Sequence, residues 1–290
     1  MSALRADPRD FPDPFVLNTG SEYIALATNS GSVNVQVMSS PDLVEWRTEP
    51  DGLPSLPSWA AGGNTWAPAV LPRESNYILF YTVREPTGQR QAISVATSRE
   101  PVGPYVDRSD GPFIYQLELG GSIDPSPFVD LDGTPYLLWK ADSNAIDRRS
   151  SLWIQKLTVE GTSLVGPAIR LLDHDASWET PLIEAPSLVL SGGIYYLFYS
   201  ANWWNTDRYA IGYATATSVT GPYKKVTKRR PWFGSDTNVA GPGGQEWFLD
   251  RSEELCMAYH AWTPGRVGYP NGARSLHIAR VSIAGAPALL

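Results

Sequence analysis

The sequence predicts an all-β fold, a five-bladed β-propeller. Similar stretches recur five times along the 290 residues at a near-constant period. Each of them reads as strand-forming runs separated by turn residues. Helical signals are few, because no long apolar stripe follows a helical period and the 25 Gly and 25 Pro residues interrupt helices. Repetition of four-stranded sheets around an axis protects the sheet edges and leaves a central channel.

Every repeat begins at a proline, runs through apolar residues to a turn and resumes as an aromatic-rich strand. The five stretches are "DPFVLNTGSEYIALAT", "APAVLPRESNYILFYT", "DPSPFVDLDGTPYLLWK", "APSLVLSGGIYYLFYS" and "GPGGQEWFLDRSEELCMAYHAW". Their anchor prolines, at spacings of 54, 57, 61 and 56 residues, are Pro14, Pro68, Pro125, Pro186 and Pro242. A β-sandwich is the alternative fold, but it does not explain five matched units.

A third strand-forming run follows each predicted hairpin. These runs are "VNVQVMSS", "QAISVATS", "SLWIQKLT", "YAIGYATA" and "SLHIARVS". With one further short outer strand, each unit becomes a four-stranded blade. We therefore expect residues 1–290 to form a single propeller domain, which is plausible for a closed β fold of this length.

Composition and charge limit the function classes. With 42% hydrophobic and 18% charged residues the chain is globular, and a net charge of −7 argues against nucleic acid as a partner. The basic run "KKVTKRR" at 224–230 is predicted to be a solvated loop at a blade edge. No apolar run approaches the length of a membrane span, so no membrane partner is expected.

The start of the sequence, "MSALRADPRDF", has no apolar signal region and indicates a cytoplasmic location. A secreted protein whose signal had been removed would have the same sequence. The two alternatives stay open at this point.

Acidic residues occur at equivalent points of several repeats. The residues directly before the anchor prolines are Asp13, Ala67, Asp124, Ala185 and Gly241, with Glu184 one step before Ala185. Asp-Pro is common in turns, so one such acid means little. Three carboxylates that converge on one axis repel one another, and such clusters mark acid–base sites. The sequence therefore predicts a catalytic site at one mouth of the channel.

The motifs around these acids resemble a known family. "FPDPFV", "SIDPSPFVD" and "IEAPSLV", together with "NTWAPAV" and "YHAW", are similar to motifs of glycoside hydrolase family 43. The resemblance implies a five-bladed propeller and an inverting hydrolase that acts on arabinose- and xylose-containing polysaccharides. Asp13 would be the general base, Glu184 the general acid, and Asp124 the residue that tunes the pKa of the acid and helps to orient it.

One departure from the family pattern lies in the last blade. Many members have a histidine where "GPGGQ" places Gly244, so its role is either absent or taken by Gln245. The resemblance also implies a calcium ion held in the channel through one histidine and waters. We expect His260 to be that ligand, with a structural histidine as the alternative.

Three further residues are predicted to bind the sugar. Trp66 occupies the second-blade equivalent of the catalytic positions, and Trp203 belongs to the pair "NWWN" at 202–205, which is the next candidate. Arg274 precedes a late strand and is expected to bond the sugar or Asp124, with a salt bridge at the rim as the alternative. Exo-acting arabinofuranosidase or xylosidase and endo-α-1,5-L-arabinanase share these acids.

Two alternatives from other functional classes remain at this point. They are a non-catalytic sugar-binding propeller and a scaffold propeller that binds peptides. The expected partner is an arabinose- or xylose-containing oligosaccharide or polysaccharide, and the sequence leaves the oligomeric state open.

Overall fold

The computed structural model describes residues 4–290, so the first three residues of the predicted domain lie outside the described part. The strands are, in chain order, β1 (Leu4–Asp7), β2 (Phe15–Asn18), β3 (Tyr23–Ala27), β4 (Gln36–Ser40), β5 (Arg47–Thr48), β6 (Ala61–Pro72), β7 (Tyr77–Glu85), β8 (Arg90–Ser98), β9 (Ser122–Val129), β10 (Pro135–Ala141), β11 (Ser151–Leu157), β12 (Leu164–Asp173), β13 (Ile183–Ser191), β14 (Ile194–Ala201), β15 (Ala210–Ala216), β16 (Lys224–Lys225), β17 (Ala240–Leu249), β18 (Leu255–Trp262), β19 (Ser275–Ser282) and β20 (Ala288–Leu289). Three short 3₁₀ helices occur at Leu117–Leu119, Ser143–Ile146 and Ser177–Glu179.

These strands form five antiparallel sheets arranged as a propeller, which confirms the predicted fold. Blade one contains β2 to β5, blade two β6 to β8, blade three β9 to β12 and blade four β13 to β16. Blade five contains β17, β18 and β19. The first strand of each blade contacts the first strand of the next, and this ring closes from β17 back to β2.

The outer strands are less regular than the repeat predicts. Blades one, three and four have the expected fourth strand. Blade five is completed by β1 from the start of the chain, which pairs antiparallel with β19. In blade two, the described residues beyond β8 contribute only isolated bridges, such as the one between Thr97 and Val106. The first and last segments of the described chain therefore share one blade.

The core lies between the blades. Successive residues of a strand point to opposite faces, so Leu137 of β10 packs towards blade two while Leu138 packs towards blade four. Leu197 and Phe198 of β14 divide in the same way between blades three and five. Both faces of these second strands are buried, which explains why the sequence shows nearly continuous apolar runs there.

The basic run at 224–230 is only in part a solvated loop. Its first two residues form β16, and the Lys225 side chain is 6% exposed. The Lys225 ammonium lies 2.8 Å from Oε2 of the buried Glu179 and 2.6 Å from Oδ1 of Asp175. Lys228, Arg229 and Arg230 are exposed as expected.

Among the described residues, no helix has the length and apolar character needed to cross a bilayer.

Candidate active site

A repeated backbone feature brings the first strand of each blade to the axis. Where the first strand of each blade reaches the axial cavity, one residue has a positive φ: Asp13 (55°), Ala67 (44°), Asp124 (56°), Ala185 (48°) and Gly244 (60°). In blades two to five it lies where the pairing with the second strand shifts register, as in a β-bulge. Residues other than glycine rarely adopt this conformation, and the strain is typical of functional sites.

The fifth of these positions corrects the repeat. The anchor at Pro242 predicted Gly241 as the equivalent residue, but Gly244 lies with the other four on the axial cavity. β17 contains two register shifts, one between Ala240 and Gly243 and one between Gly243 and Glu246. The additional bulge moves the axial position three residues along the strand, and the prediction for Gly241 is wrong.

A ring of hydrogen bonds joins the five blades at this level. The backbone N–H of each axial residue donates a hydrogen bond to a side chain of the preceding blade. The five bonds are Asp13 N to His260 Nδ1 (3.0 Å), Ala67 N to Thr28 Oγ1 (3.0 Å), Asp124 N to Thr82 Oγ1 (3.1 Å), Ala185 N to Asp124 Oδ2 (2.9 Å) and Gly244 N to Ser200 Oγ (2.9 Å). The ring holds the strained residues in place and joins the acids to the scaffold.

Five of the predicted site residues meet in one cavity of about 280 Å³ on the axis. The residues that line it are Asp13, Thr28, Trp66, Ile123, Asp124, Glu184, Trp204, Tyr209 and Arg274. Trp66 is the blade-two counterpart of Glu184, because each lies directly before the positive-φ residue and pairs with the equivalent position of the second strand. The structure thus brings Asp13, Asp124 and Glu184 together with Trp66 and Arg274.

Asp13 is held as a carboxylate. Its Oδ2 accepts a hydrogen bond from the Thr28 hydroxyl at 2.7 Å and lies 3.7 Å from Nη1 of Arg274. Burial acts to raise the pKa of Asp13, but the charge of Arg274 and the bond from Thr28 help to keep it below its ordinary value. An ionised carboxylate that faces a cavity can take a proton from water.

The pKa of Asp124 is shifted in the opposite direction from that of Asp13. Burial and the neighbouring Glu184 carboxylate raise the pKa of Asp124 well above its ordinary value, against the lowering effect of the Lys140 charge. Both oxygens of Glu184 are also engaged: Lys140 Nζ donates to Oε2 at 2.9 Å, and the Tyr209 hydroxyl donates to Oε1 at 2.8 Å. The site therefore combines an ionised Asp13 carboxylate with an Asp124 carboxyl group whose pKa is raised.

Trp203 does not line this cavity. Its side chain is 42% exposed, whereas Trp204 lies against the cavity with the Arg274 guanidinium 4.6 Å from its ring centroid. The indole N–H of Trp262 donates to the Trp204 carbonyl at 3.1 Å and fixes this part of the loop. Arg274 pairs with Asp13 rather than with Asp124, the carboxylate named by the sequence prediction.

His260 does not fit the predicted calcium ligand in this arrangement. Its Nδ1 accepts the Asp13 N–H, and burial lowers the pKa of the ring to about 3, so the ring is neutral and carries its one proton on Nε2. A protonated nitrogen has no lone pair for a cation. The calcium ion itself stays a prediction.

The comparison with known families decides the class. The family model described as "Glycosyl hydrolases family 43" matches residues 8–287. The chain belongs to glycoside hydrolase family 43. It is a glycoside hydrolase, and the resemblance noted in the acidic motifs is confirmed.

Known members are similar to this chain over most of its length. The β-D-galactofuranosidase xynD of Aspergillus niger is 27% identical over 83% of this chain and 73% of its own. The extracellular endo-α-(1→5)-L-arabinanase 1 of Bacillus subtilis is 28% identical over 81% of this chain and 76% of its own. The crystal structure of a thermostable family-43 glycoside hydrolase has a TM-score of 0.87 at 26% identity, covering 99% of this chain and 96% of that one.

Three residues of this family-43 site were missed in the sequence: Thr28, Lys140 and Tyr209. Trp204 was indicated there only as the second member of the pair "NWWN". A signal existed for Lys140, the one charge in the apolar strand "PYLLWKA". An alignment of the second strands of the blades would also have shown that Lys140 occupies the position held by Thr82, Ser200 and His260 in other blades. Trp204 and Tyr209 lie in or beside an irregular loop, where no periodicity indicates which side chains face the axis.

Proposed function

We propose that this family-43 enzyme removes α-L-arabinofuranosyl or β-D-xylosyl residues from plant cell-wall polysaccharides or oligosaccharides, with inversion at the anomeric carbon. The observation that carries the proposal is the convergence of Asp13, Asp124 and Glu184 from three different blades on one cavity. Hydrolysis by inversion requires two carboxyl groups in opposite protonation states with room for a water between them.

The reaction is a single displacement. A water beside Asp13 attacks the anomeric carbon and gives a proton to the Asp13 carboxylate. The bond from that carbon to the glycosidic oxygen breaks, the electron pair leaves with the oxygen, and Glu184 supplies the proton that the oxygen takes up. Arg274 keeps Asp13 ionised, and Asp124 adjusts the protonation of Glu184.

The size of the cavity favours removal of terminal residues. About 280 Å³ is near the lower limit of roughly 300–1,000 Å³ for small-molecule pockets. Such a cavity accommodates one terminal sugar more readily than several residues of a chain. Trp66 and Trp204 present flat rings that suit the C–H face of a sugar. The endo-arabinanase alternative is favoured by the B. subtilis relative, which bears that name.

A panel of aryl α-L-arabinofuranosides and aryl β-D-xylosides tests the proposal. We expect Asp13→Ala, Asp124→Ala and Glu184→Ala each to lower turnover by about 10²–10⁴-fold with the fold intact. Glu184→Ala should spare substrates with acidic leaving groups, which need little protonation. Glu45→Ala, at an exposed residue, is the control.

Proton NMR of the first-formed sugar tests the stereochemistry. An α-L-arabinofuranoside should release the β anomer before mutarotation. The α anomer as first product would remove Asp13 from the role of base. Sugar binding without turnover by any substrate of the panel would favour the non-catalytic alternative.

A further inference from the structure

Lys140 departs from the pattern of side chains that form the hydrogen-bond ring. At the equivalent position of the second strand, the other blades carry Thr28, Thr82, Ser200 and His260, each of which accepts the N–H of the next axial residue. A lysine ammonium has donors only. The Ala185 N–H is therefore bonded to Asp124 instead. A lysine at this position cannot accept the N–H of the next axial residue, as the side chains of the other blades do. Its presence therefore requires another reason.

The Lys140 ammonium is directed at Glu184. It lies 2.9 Å from Glu184 Oε2 and 3.0 Å from Asp142 Oδ1, and the lysine side chain is 1% exposed. Burial of a charged group is costly unless it is paired. Here the pairing is with the residue that donates the proton in the proposed reaction.

We propose that Lys140 is a positioning residue, whose ammonium fixes Glu184 Oε2 and stabilises the carboxylate that Glu184 becomes after it has protonated the leaving oxygen. The inference rests on the proposed function of Glu184 as the acid. Tyr209 holds the other oxygen, so together the two donors fix the plane of the carboxyl group. A fixed carboxyl group is presented to the glycosidic oxygen in one orientation.

The ionisable groups around Glu184 come from several elements. They are Lys140 on β10, Asp142 after β10, Asp124 on β9, Asp13 before β2 and Tyr209 before β15. Lys140 is the cation in contact with Glu184, whereas Arg274, which lines the same cavity, faces Asp13. Burial acts to lower the pKa of Lys140, but the charges of Glu184 and Asp142 raise it above its ordinary value, so the ammonium stays charged. Removing this charge should make Glu184 keep its proton to higher pH.

The test uses Lys140→Met, which keeps the apolar length of the side chain and removes the charge. We expect the basic limb of the kcat/KM profile to move up by about 1–3 pH units. Below that limb kcat should fall while KM changes little, because the acid is weaker and less well oriented. Asp142→Asn should move the limb in the opposite direction, since Lys140 then has a single carboxylate partner.

Lys225→Met is the matched control. Lys225 is likewise a buried lysine paired with two carboxylates, but it lies outside the cavity. Its loss should lower the melting temperature without moving the pH profile. An unchanged limb in both Lys140→Met and Asp142→Asn, with folded protein, would overturn the inference, and so would an equal shift in Lys225→Met.

A second readout does not depend on turnover. The ¹³C carboxyl signal of Glu184, assigned by its absence in Glu184→Gln, should titrate at higher pH in Lys140→Met than in the wild type. Identical titration in both proteins would overturn the inference. Failure of the proposed function would appear differently: the Glu184 signal would still titrate at higher pH in Lys140→Met than in the wild type, but the wild type would hydrolyse no glycoside of the panel.

Discussion

Gly244 leaves the space in which His260 reaches the backbone of Asp13. A Cβ at this position would lie 2.6 Å from His260 Nδ1 and 2.9 Å from Asp13 Oδ1. The residue also has φ = +60°, which favours glycine. No side chain fits at 244 while His260 and Asp13 keep their places, so a histidine cannot occupy this position as it does in many family members. Gln245 bonds Ala185, Ser187 and Ser200 of blade four, a tie between blades.

We therefore expect Gly244→Ala to lower kcat/KM by about 10²-fold, because it displaces Asp13, the proposed general base, by a fraction of an ångström to an ångström. Gly111→Ala is the control, since an added Cβ there meets no atom within 4 Å. Steady-state kinetics and circular dichroism of both variants make the measurement. Wild-type turnover in folded Gly244→Ala would mean that the contact between His260 and Asp13 is dispensable.

At the scale of elements, the loop between β14 and β15 supplies one wall of the cavity. Trp204 lies in this loop, and Tyr209 ends it directly before β15. The Arg274 guanidinium is stacked on the Trp204 ring, so the loop also positions the cation that faces Asp13. Trp203, its neighbour in sequence, does not line the cavity and is exposed.

Alanine variants of the two adjacent tryptophans separate these roles. Trp204→Ala should lower kcat/KM by about tenfold or more, because it removes both a ring that lines the cavity and the cation–π contact of Arg274. Trp203→Ala should stay within about twofold of the wild type and serves as the matched control. A larger loss in Trp203→Ala than in Trp204→Ala would restore the sequence prediction and contradict the role of Trp204 as a sugar-facing wall of the cavity.

The predictable elements are those that the repeat determines. The strand "IEAPSLV" revealed Glu184 because the same proline and apolar pattern recurs in the other blades. The same reasoning placed Gly241 on the axis incorrectly, because a second bulge in β17 leaves no periodic trace in the sequence. The partner of Arg274 was not predictable either, since it depends on how a loop and a distant blade meet in space.

For the whole molecule, closure of the ring brings ionisable groups into the axial channel. Glu246 lies on β17 and lines the axial cavity together with Asp13 and Asp124. Burial, and to a smaller extent the Asp124 carboxylate, raise the pKa of Glu246 to about 8, although bonds from the Ser126 hydroxyl and the Trp247 N–H act to lower it. None of the proposed catalytic steps uses this carboxyl group, so its main effect should be on stability.

The sign of that effect follows from proton linkage. Between the ordinary pKa of 4.5 and the native value of about 8, the folded protein holds a proton on Glu246 that the unfolded chain has lost. The stability contributed by this group is fully present below pH 4.5 and is lost as the pH rises through about 8.

Glu246→Gln keeps an amide oxygen to accept the Ser126 bond and removes the titration. Its melting temperature should therefore rise relative to the wild type as the pH increases from 5 to 9, whereas the exposed Glu74→Gln should keep a constant difference from the wild type. Melting curves across this range make the test, and parallel curves for Glu246→Gln and the wild type would show that the channel does not hold Glu246 in its protonated form.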